Sequence, residues 1–343
     1  GGSGWSDAAT DAIGDWAERL GLPVALSFRR KDLISNDRAN YAGDLGLGCN
    51  PALTARVKAA DLILAIGARL GENPTQGYTL FTREQTAERL IHIHPGAEEL
   101  GRVWTPSLSA TADNSLAALA LSSIDPGRTW SDQAVQAHAD YETFSTPVTV
   151  TGAVNMSDCI THLRSVLPDD AILTNGAGNF AAWLHRFHRH RARRTQLAPT
   201  SGAMGYGFPA AVAAKSAHPG RDVICIAGDG DYMMTGQELA TAVQYGINVV
   251  TVIVDNGTYG TIRMHQEGHY PGAERVIATD LVNPDFVKYA EAFGAFGIRC
   301  ETTEAFPAAL AAARNAGRPA IVHLLTSAED IAPGRTITAM RGG

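Results

Sequence analysis

The chain has 343 residues and a formal net charge of −7, and 45% of its residues are hydrophobic while 18% are charged. This length suits two domains, and the composition excludes a disordered chain. The acidic balance argues against nucleic-acid binding. No apolar run is long enough to span a bilayer, and the first residues lack a signal-peptide pattern, so we expect no membrane association.

The four cysteines are widely separated in the sequence and form no CxxC pair. We therefore expect neither a disulfide framework nor a zinc site. A chain without these features is typical of a reducing compartment, and we expect a cytoplasmic protein.

Strands and helices alternate over residues 1–125. Apolar spacing predicts a helix at 7–20 with Gly21 as its C-cap. Strands are predicted at 22–28, 61–70 and 89–95, with a second helix at 50–60. Such alternation predicts a parallel sheet covered by helices on both faces. The opening "GGSGW" runs into the first helix as a strand-to-helix turn would, so we expect a domain that is N-terminally incomplete; a tag or linker scar is the alternative.

Residues 126–152 lose this pattern and are predicted to be a linker, after which residues 153–343 form a second domain. Here we predict helices at 156–167, 205–217, 236–246, 283–294 and 306–317, and strands at 171–175, 222–230, 248–256 and 319–325. The predicted fold class is α/β: two doubly wound domains with mainly parallel sheets flanked by helices.

Two polar side chains follow predicted strands of the second domain. Asp229 is the second-last residue of "DVICIAGDG". Asn256 is the last residue of "NVVTVIVDN" and follows Asp229 by 27 residues. Ligands of open parallel sheets sit at these carboxyl ends, and oxygen ligands of this kind suit Mg²⁺ bridging a diphosphate. Gly228 and Gly230 would let a phosphate approach the backbone, and a helix starting near Gly236 would direct its positive end there. The alternative is that both motifs are only tight turns.

These motifs resemble a known family. The GDG sequence followed by the asparagine resembles the thiamine diphosphate signature of the superfamily that includes acetohydroxyacid synthases and the benzoylformate and pyruvate decarboxylases. "SGAMGYGFPAAVAAK" (201–215) and "TNGAGNFAAW" (174–183) also resemble segments of that family. The first domain is similar to its central, Rossmann-like domain through "ERLGLPVALSFRRKDLI" and "ADLILAIGARLGE".

The resemblance implies a set of site residues. Asp229, the Asn256 side chain and the Thr258 carbonyl would bind Mg²⁺. Met204 would hold the cofactor in a bent shape, although an ordinary core methionine is the alternative. The residues implied along the diphosphate are Gly178, Asn179, Gly228, Gly230, Asp231, Tyr232, Tyr259 and Gly260.

The family's activity implies decarboxylation of a 2-keto acid and carboligation on thiamine diphosphate. That chemistry needs a glutamate on a pyrimidine-binding domain, for which the resemblance gives no counterpart in this sequence. We expect this domain from an upstream part of the same polypeptide or from another subunit, in a homodimer or tetramer, and little activity from this chain alone. A non-catalytic module that binds the cofactor or a nucleotide is the alternative function.

Three further segments leave alternatives open. His265 stands where acetohydroxyacid synthases carry a tryptophan, in the segment 260–272 that would line the substrate entrance; it is either catalytic or an exposed loop histidine. The basic stretch 185–194 is interpreted as a solvated or interface helix face rather than a metal or nucleic-acid site. Some relatives bind FAD or ADP near the loop 67–78, and no motif decides this here. The glycine fingerprint of an NAD-dependent dehydrogenase is missing.

Overall fold

The computed structural model describes residues 1–270 and 276–342. The chain divides into two compact units, one formed by Gly1–Thr146 with Arg189–Arg194 and the other by Pro147–His188 with Thr195–Gly343. In both units the strands are parallel and helices flank them, which confirms the predicted α/β class. No helix in the described ranges has the length and apolar character of a membrane span.

The first unit contains a two-stranded and a three-stranded parallel sheet, ordered β1-β2 and β3-β4-β5. Its strands are β1 (Val24–Ser27), β2 (Tyr41–Leu45), β3 (Ile63–Ile66), β4 (Leu90–His94) and β5 (Leu108–Thr111). Its helices are α1 (Asp7–Leu20), α2 (Pro51–Ala59), α3 (Arg83–Arg89), α4 (Asn114–Ser122) and α5 (Ser131–Phe144), with a 3₁₀ turn at Ala97–Glu99.

Helix α1 shows why the sequence prediction worked in this unit. The Ser6 side chain accepts a hydrogen bond from the Ala9 amide, and Gly21 ends the helix with a left-handed φ of 68°. The first is a standard N-cap and the second a standard C-cap. Residues spaced at helical intervals between them, including Ile13 and Leu20, are buried. The predicted helix and its C-cap are confirmed.

The predicted irregular linker at 126–152 contains helix α5, so the prediction was wrong for residues 131–144. Ala134, Ala137 and Tyr141 lie three and four residues apart and are buried, with the Tyr141 ring 4.7 Å from that of Tyr41. The polar residues between them concealed this narrow apolar stripe, since a helix needs only one buried face. The two units meet in sequence at 146–147.

The basic stretch 185–194 also differs from the helical interpretation, because its helix ends at Phe187. Arg189 pairs with Asp37 and Glu142, and Arg191 pairs with Asp37. Arg193 pairs with Asp7. These arginines therefore have carboxylate partners within the first unit.

The second unit contains a six-stranded parallel sheet in the order β10-β11-β9-β8-β6-β7. Its strands are β6 (Ile172–Asn175), β7 (Gln196–Leu197), β8 (Val223–Gly228), β9 (Val250–Asp255), β10 (Phe296–Cys300) and β11 (Ala320–Leu325). The helices are α6 (Met156–Val166), α7 (Asn179–Phe187), α8 (Gly207–Ala217), α9 (Asp229–Tyr232), α10 (Leu239–Gln244), α11 (Gly260–His269), α12 (Phe286–Ala292), α13 (Phe306–Arg314) and α14 (Ile337–Met340), with a 3₁₀ turn at Gly236–Glu238.

Strands β8 and β9 lie side by side, and Gly228 is the register partner of Val254. Every residue of both strands is buried, as expected for a parallel sheet covered on both faces. Asp229 and Asn256 therefore follow neighbouring strands at the same edge of the sheet. The predicted helix at 236–246 begins as the 3₁₀ turn, which continues directly into the six-residue helix α10.

A tight backbone contact at the start of α8 yields a stability prediction. A Cβ atom on Gly207 would lie 2.7 Å from the Gly176 nitrogen and 2.8 Å from the Asn175 carbonyl carbon. We expect Gly207→Ala to lower the free energy of unfolding by about 1–3 kcal/mol, because backbone cannot rotate away as a side chain can. Urea unfolding measures the change.

The matched control is Gly220→Ala, where an added Cβ would meet nothing within 4 Å. Its effect should stay within about 0.5 kcal/mol. Helix propensity alone would favour alanine at Gly207 by up to about 1 kcal/mol. A Gly207→Ala variant as stable as the control would therefore contradict the contact.

Candidate functional site

A cleft opens at the carboxyl ends of β6, β8 and β9. Four segments of the second unit supply most of its lining: 177–180, 228–231, 256–262 and 326–331. Met204 completes one wall. The cleft therefore occupies the position in which open parallel sheets bind ligands.

Asp229 is a buried carboxylate at the floor of this cleft. Its Oδ1 accepts a hydrogen bond from the Gly230 amide at 2.9 Å, and its Oδ2 accepts from the Gly257 amide at 2.9 Å and from Asn283 Nδ2 at 2.8 Å. Burial raises the pKa of Asp229 to about 6 despite these donors. A buried negative charge of this kind favours a bound cation.

Asn256 and Thr258 lie on the loop after β9. The Asn256 side-chain oxygen accepts from the Thr258 amide at 3.1 Å, and Gly257 between them has a φ of 65°. The Thr258 hydroxyl donates to the Thr279 carbonyl at 2.9 Å, and the Tyr259 amide donates to the same carbonyl at 2.8 Å. These bonds hold the loop against residues 279–281, so both side chains keep fixed positions in the cleft wall.

Asp231 connects two other loops of the cleft. Its Oδ1 accepts from the Ala177 amide at 3.0 Å and from the Gly205 amide at 2.9 Å. A Cβ atom on Gly176 would lie 2.0 Å from this oxygen, so glycine is required there. Asp231 thereby fixes the loops that carry Gly178 and Met204.

The N-terminal residues of two helices line the cleft: Asn179 begins α7, and Gly260 begins α11. Their free amides and dipoles favour a bound anion. The Asn179 side chain donates to the Ile331 carbonyl at 2.8 Å and accepts from the Thr261 hydroxyl at 2.9 Å, joining both helix starts to the segment 326–331. The helix predicted near Gly236 does not contribute to the lining.

The charges of the cleft test whether a Mg²⁺-bound diphosphate fits. Among the described lining residues, the charged side chains are Asp229, Asp231 and Asp330, with no lysine, arginine or histidine. Three carboxylates would repel a diphosphate unless a cation lay between them. In the described part of the chain, no three histidine, cysteine, aspartate or glutamate side chains form a metal-binding group, so one carboxylate with amide and carbonyl oxygens is the donor set that fits.

Comparisons with known proteins agree with this chemistry. Residues 176–324 match the C-terminal thiamine pyrophosphate-binding domain of the thiamine pyrophosphate enzymes, and residues 1–121 match their central domain. The chain belongs to the thiamine pyrophosphate enzyme family.

Curated relatives are acetolactate synthases. The large subunit from Parasynechococcus marenigrum is 31% identical, with 94% of this chain and 52% of that protein covered. The Mycobacterium bovis enzyme is 30% identical, with 86% and 49% covered. The isozyme 2 large subunit from Escherichia coli is 26% identical, with 94% and 58% covered. The chain thus spans about half the length of these relatives.

Most of the residues predicted for the site lie together in the cleft. Its lining includes Gly178, Asn179, Met204, Gly228, Asp229, Gly230, Asp231, Asn256, Thr258, Tyr259 and Gly260. Gly228 and Gly230 have a packing role in addition: Cβ atoms there would lie 2.7 Å from the Phe180 ring and 2.4 Å from the Tyr259 ring. Their functions as ligands stay predictions.

Two predicted site residues do not line the cleft. The Tyr232 ring is buried in the core, 5.2 Å from that of Phe208 and 6.0 Å from that of Phe286. His265 is exposed on α11, with its ring 5.7 Å from that of His269. The far end of the predicted entrance segment, 271–272, lies outside the described residues.

Sequence reasoning missed three side chains behind the cleft. Asn283 Nδ2 donates to Asp229 and, at 2.7 Å, to Asp255 Oδ1, while His323 Nε2 lies 2.8 Å from Asp255 Oδ2. Burial alone would raise the pKa of Asp255, but the hydrogen bonds from His323 and Asn283 outweigh it and lower that pKa. The sequence signal for Asn283 was the segment "NPDF" (283–286), which we interpreted only as the start of a helix.

The raised pKa of Asp229 yields a pH prediction for the cofactor-free protein. The folded pKa of about 6 exceeds the ordinary value of 3.8. The folded chain therefore binds an extra proton between these values, and the free energy of unfolding increases as pH falls through this window. We expect the difference in free energy of unfolding between wild type and Asp229→Asn to move in favour of wild type by on the order of 2 kcal/mol from pH 8 to pH 4, because only wild type takes up this proton.

Urea unfolding in the presence of a chelator, repeated across this pH range, measures the effect. Asp280→Asn is the control, because that side chain is 90% exposed and should change stability little at any pH. A difference in stability between the two proteins that is the same at pH 8 and at pH 4 would show that the charge of Asp229 is not the costly element.

Proposed function

We propose that this chain binds thiamine diphosphate through Mg²⁺ and takes part in the decarboxylation and carboligation of 2-keto acids, as an acetolactate synthase-like enzyme. The observation that carries the proposal is the convergence of Asp229 and Asn256 at adjacent strand ends in an acidic cleft. The acetolactate synthase relatives support the reaction class.

The chain's own residues divide the work of binding. Asp229, the Asn256 side chain and the Thr258 carbonyl would hold Mg²⁺, and the amides at the starts of α7 and α11 would hold the diphosphate. When bound, the cofactor supplies a nucleophilic thiazolium carbon and an electron sink for the electron pair that remains when CO₂ departs. Met204 would support the bent form of the cofactor from the cleft wall.

Apolar side chains form the remaining wall of the cleft, among them Val154, Trp183, Ile262 and Ile331. Such a wall excludes water and strengthens electrostatic interactions with charged groups. Asp330 at the rim accepts hydrogen bonds from the Thr151 and Gly152 amides, both at 2.9 Å, which fixes the segment carrying Ile331. The proposed site is therefore held in one shape before any ligand binds.

The proposal includes a pyrimidine-binding domain, since the two matched family domains are the central and C-terminal ones. We propose that this domain, from the same polypeptide or from another subunit, supplies the glutamate that activates the cofactor. A homodimer or tetramer in the cytoplasm, with a small 2-keto acid as substrate, completes the proposal. Turnover by this chain without that domain should be low.

Calorimetry with thiamine diphosphate tests the binding step. We expect heat of binding with MgCl₂ present and none with a chelator. Asn256→Ala should weaken binding at least about 10-fold, because it removes a metal ligand. Asn315→Ala, at an exposed asparagine after α13, is the matched control and should bind as wild type does.

The catalytic step needs the native assembly, whose mass and turnover of pyruvate can both be measured. Acetolactate formation by an assembly that carries a pyrimidine-binding domain would support the enzyme. Mg²⁺-dependent binding without any turnover by that assembly would instead indicate a non-catalytic cofactor-binding module. Binding that is indifferent to Mg²⁺ would overturn the metal assignment.

A further inference from the structure

Asn283 lies behind the cleft and has a contact pattern that the proposed function does not explain. It precedes α12, and its amide nitrogen donates to Asp229 Oδ2 at 2.8 Å and to Asp255 Oδ1 at 2.7 Å. The Gly257 amide donates to the same two oxygens, at 2.9 and 3.0 Å. Asn283 itself does not line the cleft.

The contact with Asn283 occupies one of the acceptor positions of the Asp229 carboxylate. A carboxylate oxygen offers two lone pairs. Both positions on Oδ2 are used, by the Gly257 amide and by Asn283, whereas among the described residues Oδ1 accepts one backbone bond, from the Gly230 amide. The position left for a further ligand is therefore on Oδ1.

We propose that Asn283 is a positioning residue that restricts Asp229 to one coordinating oxygen, and that it thereby makes the site prefer Mg²⁺ to Ca²⁺. The inference rests on the proposed function, because it assumes that Asp229 is a metal ligand. It adds a determinant of cation choice that lies outside the ligand set.

The preference follows from the different demands of the two cations. Mg²⁺ is small, takes six oxygens in near-ideal octahedral geometry and is usually bound by single carboxylate oxygens. Ca²⁺ accepts six to eight oxygens and tolerates a carboxylate that coordinates through both of its oxygens. Because Oδ2 of Asp229 already accepts two hydrogen bonds, Asp229 cannot readily bind a cation through both oxygens. This disfavours Ca²⁺ more than Mg²⁺.

Neighbouring groups hold Asn283 in this role. Asp255 receives His323 Nε2 at 2.8 Å on its other oxygen, which fixes the carboxylate that anchors one N–H of Asn283. Asp285 lies two residues after Asn283 and is the N-cap of α12. Its side chain accepts hydrogen bonds from the Val287 and Lys288 amides. The asparagine is thus positioned by the sheet on one side and by a capped helix on the other.

The test uses Trp183, the cleft-lining tryptophan, as a fluorescent reporter, with thiamine diphosphate held at saturation. Titrations with MgCl₂ and with CaCl₂ give two half-saturating concentrations for each variant. For Asn283→Ala we expect the Mg²⁺ value to rise about 10-fold and the Ca²⁺ value by less than about 3-fold, as is typical when a residue behind a metal ligand is removed. Asn315→Ala should leave both values unchanged.

The double variant Asp255→Ala with Asn283→Ala separates positioning from simple charge screening, because alanine at 255 removes the charge without adding an N–H donor near Asp229. It relieves the repulsion between the two carboxylates but still leaves Asp229 Oδ2 without the Asn283 donor. A shifted Ca²⁺/Mg²⁺ ratio in both variants would support the proposal. A ratio restored in the double variant would overturn it, since Asn283 would then only separate charges. If Asn283→Ala fails to fold by circular dichroism, Asn283→Leu, which is close in size and has no N–H donor, replaces it in both titrations.

Failure of the proposed function gives a different result. If the wild-type chain shows no cation-dependent signal with thiamine diphosphate, the metal assignment fails and this inference fails with it. If wild type responds to Mg²⁺ but the ratio is the same in every variant, the proposed function stands and the role of Asn283 is rejected.

Discussion

The parallel pairing of β8 with β9 is the constraint on which the candidate site depends. It places Gly228 beside Val254, so the chain leaves both strands at one edge with Asp229 and Asn256 in the same cleft. Neither side chain alone indicates a ligand site. Together, in a cleft whose charged lining groups are carboxylates among the described residues, they create a place where the negative charge of Asp229 is buried. That arrangement is costly unless a cation binds there.

The parts of the fold that could be predicted are those with continuous local patterns. Strands β8 and β9 are apolar runs buried on both faces, and α1 has a cap at each end. Strands β2 and β10 were missed because they are short and contain glycine and a charged residue, which disfavour strand assignment. Helix α5 was missed because its apolar stripe is narrow. Strands β2 and β10 are instead fixed by pairing with β1 and β11, and α5 by the burial of its apolar stripe.

The site was predictable to the extent that its chemistry lies next to a strand end. Asp229 and Asn256 qualify, whereas Asn283 contacts Asp229 across 54 residues of sequence, a separation that no local pattern reveals. His265, for which an exposed position was one of the two alternatives, lies outside the cleft for a geometric reason. Met264 contacts Asn179 at the cleft, so the next residue on α11 faces away and shares the exposed face with His269, four positions later.

Hydrogen bonds behind the cleft connect the candidate metal ligand to the centre of the sheet. His323 on β11 contacts Asp255 on β9, and Asn283 joins Asp255 to Asp229 after β8. The geometry of Asp229 is therefore set by Gly257 and Asn283, two loop residues that are themselves held to β9 through Asp255. Sites supported in this way hold their ligands in defined positions while the surrounding loops are free to differ. Changes at the mouth of the cleft can then occur without disturbing the position of Asp229.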